Sequence, residues 1–139
     1  MLRAEWEYWM SDRPIAAPPS DEAREARMRA AARTNLSAVQ AQLDLVDPEI
    51  EILEGISTVP AFGHTPGHMA LDIASNGERL LFAGDAIIDP IDVEHPESVS
   101  VFDHQLEYVM ATRLRLLDKA AREKALVSTS HCPFPGLAS

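Results

Sequence analysis

The sequence predicts a mixed α/β domain in which a small sheet is preceded and followed by helices. Three observations carry that expectation. Apolar residues in the first 47 positions recur with a helical period, and two apolar runs, the first of them alternating, flank an Asn-Gly dipeptide at 76–77. A second helical pattern spans about 104 to 121 and leads into the short apolar run "ALVST".

Taken in order, Trp6, Trp9 and Met10 fall on one face of a first helix. "RPIAAPPS" interrupts it with three prolines. Ser20 is the expected N-cap of a second, long helix, with Asp21 and Glu22 favourable in its first turn. Met28, Ala32, Leu36, Val39 and Leu43 keep a near-3.6 period to about Leu45, as expected for an amphipathic cover, and Asp47-Pro48 ends the helix.

"EIEIL" and "MALDIAS" alternate as strands do, the latter with Met69, Leu71 and Ile73 on one face. Asn76-Gly77 joins "MALDIAS" to "RLLFA" in a two-residue hairpin, since both turn positions must accept a positive φ. A last helix is expected from about His104 to Ala121. Asp103 would cap it, with Leu106, Val109, Met110, Leu117 and Ala120 inward.

Composition sets the outer limits. A chain of 139 residues with 46% apolar content is one domain, 1–139, large enough for a real core. A net charge of −10 argues against a nucleic-acid partner. No apolar run approaches the roughly 20 residues of a membrane span. The single cysteine, Cys132, excludes an internal disulfide, suits a cytoplasmic location and reads as a small buried thiol.

The chemistry gathers near "AFGHTPGHMALDI". With the turn at 76–77, the hairpin register sets Met69 opposite Gly84 and His68 opposite Asp85. The "GHTPGH" and "GD" turns therefore share one edge of the sheet. His131 follows the last strand as Asp85 follows "RLLFA", so parallel pairing of those strands would bring His131 to the same edge. Imidazole nitrogen and carboxylate oxygen suit zinc, iron(II) or manganese.

"GHTPGH", "LLFAGDA" and "SHCPFPG", in that order, resemble the second half of the metallo-β-lactamase superfamily, most closely its lactonase and organophosphate-hydrolase branch. The resemblance implies half of an αββα sandwich. It implies His64 as a metal ligand, Asp85 as the carboxylate bridging two metals, His131 as a ligand of the second, and His68 in a supporting role. Zinc is the divalent metal it suggests, with iron or manganese as alternatives. The family's HxHxDH motif is absent from this sequence. His95 and His104 do not replace it; the first reads as a loop residue and the second as an exposed one.

The expected function is that of a metal-dependent hydrolase-like domain. In the complete enzyme it would act on a small-molecule ester, lactone or phosphotriester. This chain is expected to be truncated, to hold at most one ion on three ligands, and to be inactive alone. The alternative is a non-catalytic structural or oligomerisation module that retains a degenerate metal site. On either reading, the sheet face left uncovered predicts a homodimer or larger assembly.

Overall fold

Asn76 and Gly77 reverse the chain with φ of 51° and 83°, the left-handed pair that a tight hairpin requires. They join β3 (Met69–Ser75) to β4 (Glu78–Gly84). The antiparallel register runs without slippage from Ser75 opposite Glu78 to Leu71 opposite Phe82, as the turn predicts. This computed structural model describes residues 1–12, 22–134 and 136–138. The expected cap Ser20, Asp21 and all of the proline-rich "RPIAAPPS" stretch lie outside the described residues.

Around the hairpin a six-stranded sheet forms in the order β1-β2-β3-β4-β5-β6. Its other strands are β1 (Glu51–Leu53), β2 (Ile56–Pro60), β5 (Leu126–Thr129) and β6 (Leu137–Ala138). Neighbours pair antiparallel except β4 and β5, which run parallel. A parallel pair needs a crossover, and here it contains α3 (Ile91–Glu94) and α4 (Leu106–Glu123).

Helix α4 lies across one face of the sheet. Leu116 and Ala120 bury against Val59, Ala70, Leu81, Ala83 and Val127. At the rim of this contact Asp72 on β3 pairs with Lys119 at 2.8 Å and with Arg79 at 2.8 Å. Burial disfavours the Lys119 charge, but hydrogen bonds to Asp72 and Glu123 outweigh it and raise its pKa. Successive strand residues point to opposite faces, so Leu71, Ile73, Leu80 and Phe82 line the side away from α4, where they are only half-buried.

The helix differs from its sequence reading in phase and in start. It begins at Leu106, and its N-cap position, Gln105, makes no side-chain capping bond. Asp103 is not the cap. Leu106 and Met110 are 42% and 49% exposed rather than inward. The buried stripe is Val109, Thr112, Arg113, Leu116 and Ala120. It is rotated because Arg113 turns inside to meet two buried carboxylates.

At the N-terminal end, α1 (Arg3–Met10) packs beside α2 (Glu22–Val39). The second helix stops short of Leu45 and closes in a 3₁₀ turn, Gln40–Gln42. Met28, Ala32 and Leu36 are half-buried, while Val39 is exposed. Arg29 donates to the carbonyls of Tyr8 and Ser11, and Arg33 to those of Trp9, Met10 and Ser11. Two cations thus satisfy the open carbonyl end of α1. Among the described residues no helix is long and apolar enough to cross a membrane.

Candidate metal centre

The turn between β2 and β3 is closed by its own backbone. The Ala61 N–H donates to the His68 carbonyl at 2.9 Å, and the Gly63 and His68 N–H groups donate to the Thr65 carbonyl at 3.2 and 3.3 Å. Helix α1 staples it from one side. The Glu5 carboxylate accepts the Thr65 hydroxyl at 2.6 Å and the Gly67 N–H at 3.0 Å. A Cβ on Gly67 would overlap the Glu5 backbone, so glycine is what lets the helix approach. From the other side the His104 N–H donates to the His64 carbonyl at 3.1 Å.

His68 supports the backbone of the neighbouring turn. Its Nε2 accepts the Asp85 N–H at 3.0 Å, which fixes the ring with its proton on Nδ1. Burial, followed by the nearby charge of His64, lowers its pKa. Gly84 carries a φ of +56°, and a Cβ there would come within 2.9 Å of that same Nε2.

Asp85 stands at the end of β4 with its two oxygens facing different imidazoles. Oδ2 lies 3.6 Å from His64 Nε2, and Oδ1 lies 3.2 Å from His131 Nε2. His131 reaches it because β5 runs parallel to β4 and delivers its following residue to the same edge. His64, Asp85 and His131 therefore meet, though they are far apart in sequence.

The 3.2 Å separation from His131 is within hydrogen-bond reach, whereas the 3.6 Å separation from His64 lies beyond it. Two donors on a tetrahedral ion, each bonded at about 2.0–2.2 Å, lie roughly 3.3–3.6 Å apart. The three groups pair two by two through the carboxylate and do not surround one point. Among the described residues no set of three or more His, Cys, Asp or Glu side chains is arranged to hold one ion. The expectation of a single ion on three ligands does not match this arrangement. One imidazole stands beside each carboxylate oxygen of Asp85.

Two residues read differently in sequence, Asp103 and His104, take part nearby, with Arg113, which the sequence did not single out. Asp103, expected to cap α4, is buried with its Oδ1 3.2 Å from His64 Nδ1. Burial alone would push the Asp103 carboxyl upward. Hydrogen bonds from His64 and Ser100, with the charges of His64 and Arg113, outweigh it and hold the pKa below its ordinary value. Arg113 is buried behind it. His104, expected to be exposed, is half-buried with its Nδ1 2.8 Å from the Tyr8 hydroxyl. Burial, and then the charge of His64, lower its pKa.

The remaining candidates lie apart from this chemistry. His95 is exposed in its loop, 3.2 Å from Glu97. Cys132 is free and only partly buried rather than a buried thiol, and its backbone N–H donates to the Thr129 hydroxyl at 3.2 Å.

The chain is similar to AidC, a dizinc quorum-quenching lactonase, with a TM-score of 0.88 and 28% identity over 99% of this chain and 48% of that one. It is similar in fold to AbOPH, a hydrolase of the beta lactamase superfamily, with a TM-score of 0.84 and 22% identity over the same shares. An N-acyl homoserine lactone hydrolase with N-hexanoyl-L-homoserine at its catalytic metal centre matches at a TM-score of 0.56 and 21% identity. That match covers 68% of this chain and 41% of the other. The chain spans about half the length of AidC and AbOPH. No protein-family model and no curated protein matches the sequence.

Proposed function

We propose that this chain, whose fold matches that of the metallo-β-lactamase superfamily lactonases and hydrolases, is the C-terminal half of a metal-dependent hydrolase for esters, lactones or phosphotriesters. The observation that carries the reading is Asp85 presenting one oxygen to His64 and the other to His131. That is the donor set two divalent ions need from a shared carboxylate, and zinc is the ion we favour. When bound, such ions supply Lewis acidity and lower the pKa of coordinated water.

The residues of this chain do the holding. His64 and His131 offer neutral nitrogen lone pairs, Asp85 offers charge to both positions, and His68 fixes the backbone from which Asp85 projects. The sequence contains no HxHxDH motif, so each ion would take only two ligands from these 139 residues. Binding would be weak and turnover absent until further ligands are supplied. The single, free cysteine suits the cytoplasm.

Zinc titration of chelator-stripped protein tests this by calorimetry, with Asp85→Ala as the control. Zinc uptake by the wild type and its loss in Asp85→Ala is the expected result. A wild type that takes up no zinc overturns the reading.

A second reading has one observation in its favour. The half-buried face of Leu71, Ile73, Leu80 and Phe82 suits a non-catalytic module that associates with itself. Sedimentation as a zinc-free dimer would favour it; a zinc-binding monomer would not.

A further inference from the structure

His64 has two ring nitrogens and a different carboxylate beside each. Nδ1 lies 3.2 Å from Asp103 Oδ1, and Nε2 lies 3.6 Å from Asp85 Oδ2. A neutral imidazole has one proton to place between them. The Asp103 side is nearer and more deeply buried, with a side chain 1% exposed against 35% for Asp85. An unmet carboxylate costs more there.

Asp103 is itself fixed from behind. Its Oδ2 accepts the Ser100 N–H at 2.7 Å and lies 3.8 Å from the Arg113 guanidinium. Arg113, also 1% exposed, is held by the Ala86 carbonyl at 2.8 Å and by Asp92 at 3.2 Å. Asp92 in turn accepts the N–H groups of Ile88 and Asp89 at 2.9 and 3.1 Å. One guanidinium therefore serves two buried carboxylates, which leaves one unit of negative charge in the pair. His64 is the polar donor placed to meet it.

We propose that Asp103, backed by Arg113 and the Ser100 N–H, is the positioning residue that holds His64 in its Nδ1–H form, with the Nε2 lone pair free beside Asp85. The value of this arrangement to the protein rests on the metal reading above, because only a bare nitrogen binds an ion. The tautomer itself does not depend on that reading.

The substitution Asp103→Asn makes a sharp test. Ser100 N–H and Arg113 are donors, so they draw the amide oxygen to the Oδ2 position and turn the NH₂ toward His64. An NH₂ there needs an acceptor, and His64 must move its proton to Nε2. The same isosteric change misplaces the histidine proton in the Ser-His-Asp triad.

Nitrogen-15 NMR of histidine-labelled protein at about pH 8, where imidazole is neutral, reads the tautomer of His64 without metal. The expected result is an Nδ1–H signal in the wild type and an Nε2–H signal in Asp103→Asn. Zinc affinity, measured alongside, should fall roughly 10–100-fold in the variant. An Nε2–H ring in the wild type overturns the proposal, as does a variant whose tautomer is unchanged. If the tautomer inverts while neither protein binds zinc, the positioning role stands and the metal reading falls. The wild-type spectrum alone decides if Asp103→Asn does not fold.

Discussion

The backbone N–H of Asp85 donates to Nε2 of His68 across 3.0 Å. That bond exists only while His68 is neutral, and burial lowers its pKa accordingly. His104, beside Tyr8, is also shifted down by burial. A group with a lowered folded-state pKa takes up its proton first in the unfolded chain. Its contribution is complete above the unfolded value of about 6.5 and drains away as pH falls below it. Thermal melts should show Tm falling between about pH 7 and pH 5. A flat profile over that range contradicts this reading of His68 and His104.

Gly67→Ala should detach α1. The added Cβ runs into the Glu5 backbone, where no side chain can swing away. An overpacked site of this kind costs on the order of 1–3 kcal/mol, measurable by urea unfolding. Gly77→Ala is the comparison, with nothing within 4 Å of its Cβ and a φ of +83°. Its cost should be about 1 kcal/mol, from the left-handed backbone alone.

Arg113→Met should be the most damaging single change on α4. It leaves Asp92 and Asp103 buried without their shared cation, and breaking such a pair costs about 3–5 kcal/mol. Arg122→Ala provides the contrast. Arg122 pairs with Asp118 at 2.8 Å on the solvent side of the same helix, where i, i+4 pairs contribute only about 0.3–0.5 kcal/mol. Urea midpoints that rank the two variants in the opposite order would refute this account of the helix.

Zinc titrations should separate the ligands by the number of half-sites each serves. Asp85→Ala removes the shared oxygen donor and should abolish uptake. His131→Ala removes one partner and should leave the His64 half. His95→Ala, in an exposed loop, should bind as the wild type does. Uptake unchanged in Asp85→Ala and His131→Ala would mean that zinc is held elsewhere.

The hairpin was legible because Asn76 and Gly77 leave the backbone one inexpensive geometry, and register follows from it. The meeting of His68 with Asp85 came with that register. The parallel pairing of β4 and β5 was not legible, since a crossover through α4 fixes no register by local chemistry. Asp103 was misread because an acidic residue just before an apolar run is the usual mark of a helix cap. Arg113 was missed because an arginine within an amphipathic pattern reads as solvent-facing, and only its two carboxylate partners turn it inside. Strands β2 and β6 lacked a clear alternating signature; "ISTVP" mixes hydroxyls with apolar residues, and β6 is two residues long.

The parallel joint between β4 and β5 also sets an order of events. Asp85 leaves a growing chain early, close to His64 in space, and must wait for α4 and β5 before His131 can arrive. On the metal reading proposed above, the His64 position would be complete along the chain before the His131 position. Occupancy of the His131 position would then serve as a timestamp, showing that the final parallel strand has docked.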